Sequence, residues 1–492
     1  MNHQFLSVVN QPGMTAALSP WPEHNPPVNA TAAPMPVERA DSEPINWWLI
    51  GLAIGYALLS YVLLGPSIWV RMLLASFLIL RMRPDVVIPY FISCLQLKLN
   101  FSGAVTGDFD FGDNTMAVAL TGFESYAFAI PPLLISVRAA FAAADKRIDR
   151  SRFPAWLYMV WAMGGILVVV GAFTILGSGR GWTGAMRLYS IVGGVFYGML
   201  MPRMSPRQVN RLATGMACVC LAFFLTALAT PFGGKLMFVL GPIGASWGAT
   251  QLLSRKRMVL AALLLAATGY ISLFRSTLMV FGTWVWAVLA SCIAQVTTRR
   301  GQRNNRAFAA FVLASVVFCA FLFVVGVTRK VNERQQFDAS FLGRIEYKLY
   351  ADRGPIWYGC ISALMEEPSL FPTPERAFMV EWLEFNVLWI FGPHNLFLEL
   401  LNQLGVVAGP IAIVVMAYTV AGCVGAVGRD PSSGVRTLAI ATLCSIVVGG
   451  LTLPYSVGDR LGENVLIPAG MAIANSWGMP GSGWWPGSRS RG

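Results

Sequence analysis

Charged residues are scarce in this chain. Only 12% of its 492 residues are Asp, Glu, Lys or Arg, whereas 55% are apolar and the mean hydropathy is +0.59. A soluble domain carries about 25% charged residues. A chain with half that share cannot cover its apolar side chains with polar surface in water, which excludes a soluble globular protein. The composition predicts an all-α protein that crosses a membrane several times.

Histidine is rare, and so are cysteines outside apolar runs. Of the three histidines, His3 and His24 lie in the N-terminal tail and only His394 lies in the body of the chain. Seven of the eight cysteines lie in apolar runs, and Cys360 is the only one in a long polar loop. A disulfide framework is therefore not expected, and no Cys/His spacing suggests zinc. No cofactor is expected.

Fourteen apolar segments follow one another between two polar tails. A spanning helix needs about 20 residues and four of the segments are shorter, so we predict 12 to 14 transmembrane helices. The tails, residues 1–44 and 478–492, are rich in Pro and small residues, which predicts disorder. The segments lie near residues 47–65, 68–80, 86–99, 116–137, 154–177, 188–201, 210–230, 236–253, 258–274, 278–297, 307–327, 395–425, 437–453 and 464–477.

Basic residues concentrate on one side of the alternating segments. The loops on that side hold 19 basic and four acidic residues; they are residues 81–85, 138–153, 202–209 with Arg211, 254–257, 298–306 and 426–436. Lys and Arg accumulate in cytoplasmic loops of membrane proteins. We therefore predict that both termini face the cytoplasm, with transmembrane helices over residues 45–327 and 394–477.

One outer loop, residues 328–393, is much longer than the others. It holds nine acidic and seven basic residues together with several aromatic side chains. Ordered loops of this length are usually functional. We therefore expect the catalytic or binding elements in this segment, which is called the long loop below.

His394 follows the long loop directly. Pro393 suits the first turn of a helix, which predicts that His394 lies at a helix start and faces the outer compartment. The simpler explanation of a lone imidazole is an interfacial histidine that tethers the helix. A second set of candidates is basic, since the chain has 30 arginines and six lysines. The outer arginines are Arg180, Arg187, Arg275, Arg344 and Arg353.

Arginine forks match the paired oxygens of phosphate and diphosphate groups. A single arginine near an interface is also explained by snorkelling toward lipid headgroups. The charge balance of the long loop leaves its arginines without a topological explanation. Diphosphate binding is therefore one of two explanations for these residues.

These motifs resemble the signature of the O-antigen ligase and O-antigen polymerase superfamily. His394-Asn395, followed by Leu398-Glu399 and Leu404-Gly405, is similar to the H-N motif of that family with its downstream glycine. Arg353 with Trp357 resembles its R-x-x-x-W element. The order of many helices, one large outer loop and about three further helices also matches.

A third element is less similar to the family. Arg275-Ser276 resembles the arginine of a Ser-Arg-containing helix, but the two residues stand in the reverse order. The resemblance covers roughly residues 47–477, and its specific motifs lie in about 272–277 and 343–410. The family typically has twelve membrane helices, up to two fewer than the segments counted in this chain.

The resemblance implies an inverting, metal-independent glycosyltransferase of the GT-C type in a bacterial inner membrane, with its active site facing the periplasm. The implied partners are a glycan donor on undecaprenyl diphosphate, an acceptor that is a glycan or lipid A core, and membrane lipid, with no nucleic acid. A polysaccharide polymerase of O-antigen or exopolysaccharide is favoured over an O-antigen ligase, because the long loop diverges from the pattern expected of ligases.

Each candidate residue has a role in that reaction. His394 is the base for the acceptor hydroxyl, or its orienter, because a neutral imidazole suits catalysis near neutral pH. Asn395 and Glu399 orient His394, and Trp357 packs the loop. Cations must stabilise the leaving diphosphate when no metal is present. The candidate diphosphate contacts are Arg275 and Arg353, followed by Arg344, Arg180 and Arg187.

Two alternatives stay open. Asp108 and Asp110 resemble the divalent-metal site of other membrane glycosyltransferases, although a solvated acidic turn explains them as well. A transporter or flippase of lipid-linked glycans would also use arginine-lined cavities. It is less favoured, because transporters usually place ionisable groups at mid-membrane and no internal repeat relates the two halves of this chain.

Overall fold

Long apolar stretches with few charges form helices, because a helix satisfies every backbone polar group within its own segment. In the computed structural model, 88% of the described residues are helical. The structure describes residues 195, 206–229, 237–274, 278–299, 305–328, 340–370, 377–382, 385–389, 393–429, 433–450 and 470.

The elements follow one another along the chain as nine α-helices, two π-helical segments and one hairpin within the described residues. They are α1 (Pro206–Ala229), α2 (Met237–Leu253), α3 (Met258–Phe274), α4 (Leu278–Arg299), α5 (Asn305–Thr328), α6 (Phe341–Glu346), π1 (Tyr347–Arg353), α7 (Gly354–Glu366), β1 (Phe378–Trp382), β2 (Phe385–Trp389), α8 (Leu396–Arg429), α9 (Ser433–Leu443) and π2 (Cys444–Gly449).

The predicted apolar segments between residues 210 and 327 coincide with α1 to α5, with boundaries that differ by at most four residues. Three described stretches are long and apolar enough to cross a membrane: Val280–Thr297, Arg306–Thr328 and Leu396–Gly428. The predicted segments before residue 206, the segment 464–477 and both tails lie outside the described residues, apart from residues 195 and 470.

Helix α2 is the centre of the described bundle and packs against α1, α3, α4 and α9. Its small residues allow this: a Cβ added at Gly248 would lie 2.8 Å from the side chain of Leu265 and 3.2 Å from the carbonyl oxygen of Ala261. Trp247 on the same helix donates from Nε1 to Oγ1 of Thr214 on α1 at 3.3 Å. Close approach of small residues, supplemented by hydrogen bonds between helices, is how helices associate in a membrane.

Arg436 does not lie where the sequence pattern indicates. It was predicted in a cytoplasmic loop, residues 426–436, but α9 begins inside that range and the residue is only 5% exposed. Asn210 on α1 accepts a hydrogen bond from the backbone N–H of Gly434 at 2.6 Å and so caps α9. Arg436 donates from Nη1 to Oε1 of Gln295 on α4. A cap from a distant helix starts α9 early, so this arginine lies inside the bundle.

The long loop contains helices and a hairpin. In β1, Phe378 and Val380 are buried whereas Met379 and Glu381 are exposed, the alternation of a strand with one packed face. The strand pairs antiparallel with β2 and packs against α7. This hairpin departs from the all-α prediction, because an alternation over five residues is too short to stand out from a loop.

Two glycines bring α5 and α7 into backbone contact. A Cβ added at Gly354 would lie 2.4 Å from the carbonyl oxygen of Gly326. A Cβ added at Gly326 would lie 3.0 Å from the ring of Trp357. The first contact is with backbone, which cannot rotate away, so a side chain at residue 354 requires the two helices to separate.

We expect Gly354→Ala to lower the free energy of unfolding by about 1–3 kcal/mol, because it overpacks this contact. The matched control is Gly282→Ala in α4, where a Cβ would meet no atom within 4 Å. There alanine should be neutral or stabilising by about 0.5–1 kcal/mol, since glycine is unfavourable inside a helix. Thermal unfolding in detergent measures both variants. Equal melting temperatures for Gly354→Ala and wild type would contradict the contact.

Candidate active site

One apolar core joins the long loop to helix α8. Its buried members come from π1, α7, β1 and α8, and they are Leu349, Ile356, Trp357, Cys360, Phe378, Val380 and Leu398. Phe323 on α5 packs against Trp357 with ring centroids 5.0 Å apart. The core therefore contains the tryptophan of the R-x-x-x-W element together with the leucine that follows the H-N motif.

Helix α7 and the first part of α8 lie side by side and run in the same direction. At one end, Trp357 and Leu398 share the apolar core. At the other end, the carbonyl oxygen of Ser369, three residues beyond α7, accepts a hydrogen bond of 2.8 Å from the backbone N–H of Val406. The two contacts therefore occur in the same order along both segments, which means that the segments run parallel.

This orientation places Arg353 and His394 at the same end of the pair. Arg353 precedes Trp357 by four residues, and His394 precedes Leu398 by four residues. Arg353 therefore lies about one helical turn before Trp357, and His394 lies just before the start of α8. Two residues that are 41 positions apart in the sequence thus lie at the same end of the helix pair.

Arg353 is the last residue of π1 and is largely buried. Its side chain and that of Asp352 are each 12% exposed, with Nη1 and Oδ2 4.0 Å apart. Burial lowers the pKa of the Arg353 guanidinium, and the neighbouring carboxylate partly opposes that shift. An arginine starts from so high a pKa that it stays protonated at neutral pH. The π-helical segment before α7 therefore carries a buried cation.

Two buried N–H groups on this segment lack an acceptor within the part of the chain that the structure describes. They are Nε of Arg353 and Nε1 of Trp357. Residues four apart in a helical backbone lie on one face. Buried donors without acceptors are destabilising, and a bound ligand is one of the ways in which such donors are satisfied. This face has the chemistry to bind the oxygens of an anion.

His394 lies two residues before Leu396, where helix α8 begins. Its backbone is left-handed, with φ of 54°. Its ring meets the edge of Trp389 from β2, with centroids 6.0 Å apart. A left-handed residue that is not glycine costs about 1–2 kcal/mol, so surrounding contacts must hold the imidazole in this position.

Asn395 caps helix α8. Its side-chain Oδ1 accepts hydrogen bonds from the backbone N–H groups of Phe397 at 3.0 Å and Leu398 at 3.1 Å. The residue is 1% exposed. Because this oxygen serves the helix, the orienting role expected for Asn395 toward His394 stays a prediction that concerns only its amide nitrogen.

The first part of α8 carries a buried polar stripe. Glu399, Asn402 and Gln403 are each at most 4% exposed, and Gln403 donates from Nε2 to Oε1 of Glu399 at 3.3 Å. Together with Asn395 they follow the i, i+4, i+7 spacing of one helix face. The sequence-based candidates included Glu399 but missed the two amides, which this spacing would have identified.

Helix α8 is broken at Gly405, where φ is 77° and ψ is 177°. The predicted segment 395–425 is therefore two helices, Leu396–Leu404 and Val406–Arg429. A Cβ added at Gly409 would lie 2.9 Å from Cα of Leu401, so the second helix packs back against the first at a sharp corner. Two glycines spaced by four inside an apolar run were the missed signal.

The side chains of the remaining candidates lie outside the described part of the structure. Arg344 lies in α6, and only its backbone is described. Within the described residues, no three His, Cys, Asp or Glu side chains lie close enough to hold a metal ion. The candidates outside the described residues are Arg180, Arg187, Arg275, Asp108 and Asp110.

Comparison of the chain with protein-family models, with curated proteins and with solved structures finds no match. The resemblance to the O-antigen ligase and polymerase superfamily therefore stands on the motif residues alone.

We expect Asn395→Ala to destabilise the protein by about 1 kcal/mol, because two backbone N–H groups at the start of α8 lose their acceptor. Asn395→Ser is the matched control, since its hydroxyl restores a cap. Thermal unfolding in detergent measures the difference between the two variants. If serine and alanine melt together below wild type, the amide nitrogen and not the cap accounts for the loss.

Proposed function

We propose that this protein is an inverting, metal-independent membrane glycosyltransferase similar to O-antigen polymerases and ligases. It spans a bacterial inner membrane with 12 to 14 helices of the GT-C type, has both termini in the cytoplasm, and uses the long loop on the periplasmic face. Its donor is a glycan on undecaprenyl diphosphate, and its acceptor is a sugar hydroxyl.

The observation that carries this proposal is a pair of buried donors at the same end of a helix pair as an imidazole. Arg353 and Trp357 present buried donors without acceptors in the described structure, and His394 lies at the same end of the same helix pair. A diphosphate supplies acceptor oxygens to such a face. An imidazole at the same end of the helix pair is suited to take a proton at neutral pH. Of the other candidate arginines, Arg344 alone lies within the described residues, nine positions before Arg353.

In the proposed reaction, an acceptor hydroxyl oxygen attacks the anomeric carbon of the donor sugar while the bond from that carbon to the diphosphate oxygen breaks. The hydroxyl proton moves to the neutral imidazole of His394. Undecaprenyl diphosphate leaves with the bonding electrons, and Arg353 stabilises its charge. Attack opposite the leaving group inverts the configuration. Glu399 and Asn395 act through the helix that carries the imidazole.

A polymerase, which transfers the chain to a second lipid-linked glycan, is the favoured form. A ligase, which transfers it to lipid A core, uses the same chemistry. The preference depends on the divergence of the long loop from the ligase pattern. The two differ only in the acceptor, so one assay with two acceptors distinguishes them.

The first test is His394→Asn with undecaprenyl-diphosphate glycan as donor, each acceptor in turn, and EDTA present or absent. Asparagine tolerates the left-handed backbone at this position and has no basic nitrogen, so it removes the base without adding backbone strain. We expect transfer to fall by about 10²–10⁴-fold, the usual contribution of a general base. Wild-type transfer should persist in EDTA. Full activity in the folded variant would exclude His394 as the base.

The second test is Arg353→Lys, which keeps the charge and removes the Nε donor. We expect kcat/KM to fall by about 10²-fold, because a lysine cannot make paired bonds to a diphosphate. Arg306→Lys is the matched control, since Arg306 is exposed in the first turn of α5, at the end away from the long loop. Equal activity of the two variants would show that the charge alone matters at residue 353.

A transporter of lipid-linked glycans is the second candidate. The break in α8 favours it, because discontinuous membrane helices often line transport sites. In proteoliposomes loaded with donor on one side, a transporter moves the lipid-linked glycan across the bilayer without lengthening it. Glycan translocation without transfer to either acceptor would replace the glycosyltransferase proposal.

A further inference from the structure

The corner in α8 is held from outside by the part of the long loop that follows α7. Val406 starts the second helix of the corner, so its backbone N–H has no acceptor within that helix. The carbonyl oxygen of Ser369 accepts it at 2.8 Å. This hydrogen bond joins the end of α7 to the corner, and the two residues with their bond are called the clasp below.

The clasp is a close backbone contact and leaves little room for movement. A Cβ added at Gly405 would lie 2.6 Å from the carbonyl oxygen of Ser369 and 3.0 Å from the backbone of Leu370. Its φ of 77° is also one that side-chain-bearing residues seldom adopt. Glycine is therefore required at the corner for two reasons: its backbone has a positive φ, and the backbone of the long loop lies too close for a side chain.

The clasp and the apolar core fix the short helix Leu396–Leu404 at its two ends. Leu398 is anchored at the beginning in the apolar core that contains Trp357, and Val406 is bound to Ser369 just after the end. Both anchors belong to the segment that also carries Arg353. Two separated attachments prevent one helix from sliding or rotating against another, whereas a single attachment allows rotation about that point.

We propose that the clasp is a positioning device for the imidazole. It holds the short helix in register with α7, and so sets where His394 stands relative to Arg353. Ser369 and Val406 take no part in bond making, and their contact stays closed throughout turnover. This inference builds on the proposed glycosyltransferase activity for its kinetic consequence, but its structural half is independent of that activity.

Val406→Pro tests the clasp by deleting one hydrogen bond. Proline lacks the N–H, is well tolerated as the first residue of a helix, and favours an extended residue before it, which Gly405 is with ψ of 177°. Val406→Ala is the matched control, since it shortens the same half-exposed side chain and keeps the N–H. Both variants are compared with wild type as full-length protein in nanodiscs.

The first readout is hydrogen exchange followed by mass spectrometry, which needs no substrate. We expect amides of residues 394–404 to exchange about five- to tenfold faster in Val406→Pro, the effect of one lost hydrogen bond on local opening. Exchange in α9 should not change, and Val406→Ala should match wild type. Identical exchange over residues 394–404 in all three proteins would overturn the inference.

The second readout separates kcat from KM. We expect kcat of Val406→Pro to fall by about 10- to 100-fold, because a small displacement of a catalytic group is enough for such a loss. KM for the donor should stay within about twofold of the wild-type value. The reason is that Arg353 belongs to the segment that contains Ser369, and the substitution is on the other partner of the clasp. A parallel rise in KM with unchanged kcat would show that the clasp serves donor binding, which contradicts the inference.

Wild-type protein alone also decides the structural half if Val406→Pro fails to fold. The Val406 amide should be strongly protected in single-residue exchange data. Exchange at the rate of an unprotected amide would show that the clasp is open in solution and would overturn the inference. If wild type transfers no glycan while its Val406 amide is protected, the proposed function fails and the clasp survives.

Discussion

The apolar contact around Trp357 is the interaction on which the rest of the site depends. Its ring fills the space left by Gly326 on α5, and it shares a buried core with Leu398 of α8. Apolar burial is non-directional, but close packing within such a core allows few arrangements. The polar residues at its edge, Arg353 and His394, are therefore positioned by side chains that have no chemistry of their own.

Hydrogen bonds between polar groups inside the apolar bundle fix the alignment of neighbouring helices. Asn210 on α1 caps α9, and Arg436 on α9 pairs with Gln295 on α4. In an apolar environment an unsatisfied donor or acceptor is expensive, so each of these partners favours a single alignment of its helices. At the corner of α8, the carbonyl oxygen of Ser369 accepts the hydrogen bond of the Val406 N–H, so a backbone group takes the place of a side-chain cap.

The positions of the helices were readable from the sequence, since α1 to α5 match apolar runs that end at polar or glycine-rich turns. The site was readable only as a set of residue types. His394 was identified by rarity, and Arg353 with Trp357 by a family-like spacing. The left-handed backbone of His394 and the break at Gly405 were missed, and so was the hydrogen bond that joins the break to Ser369, which is far away along the chain.

Composition and periodicity alone therefore establish a mostly helical chain with membrane-length apolar segments, because burying apolar surface and satisfying backbone groups are local requirements that a single segment meets by itself. Tertiary structure decides which of its polar residues meet. Arg353 and His394 come to one end of a helix pair only because Trp357 and Leu398 belong to one apolar core and Ser369 contacts the corner. Such contacts join residues tens of positions apart, and no local pattern encodes their distance.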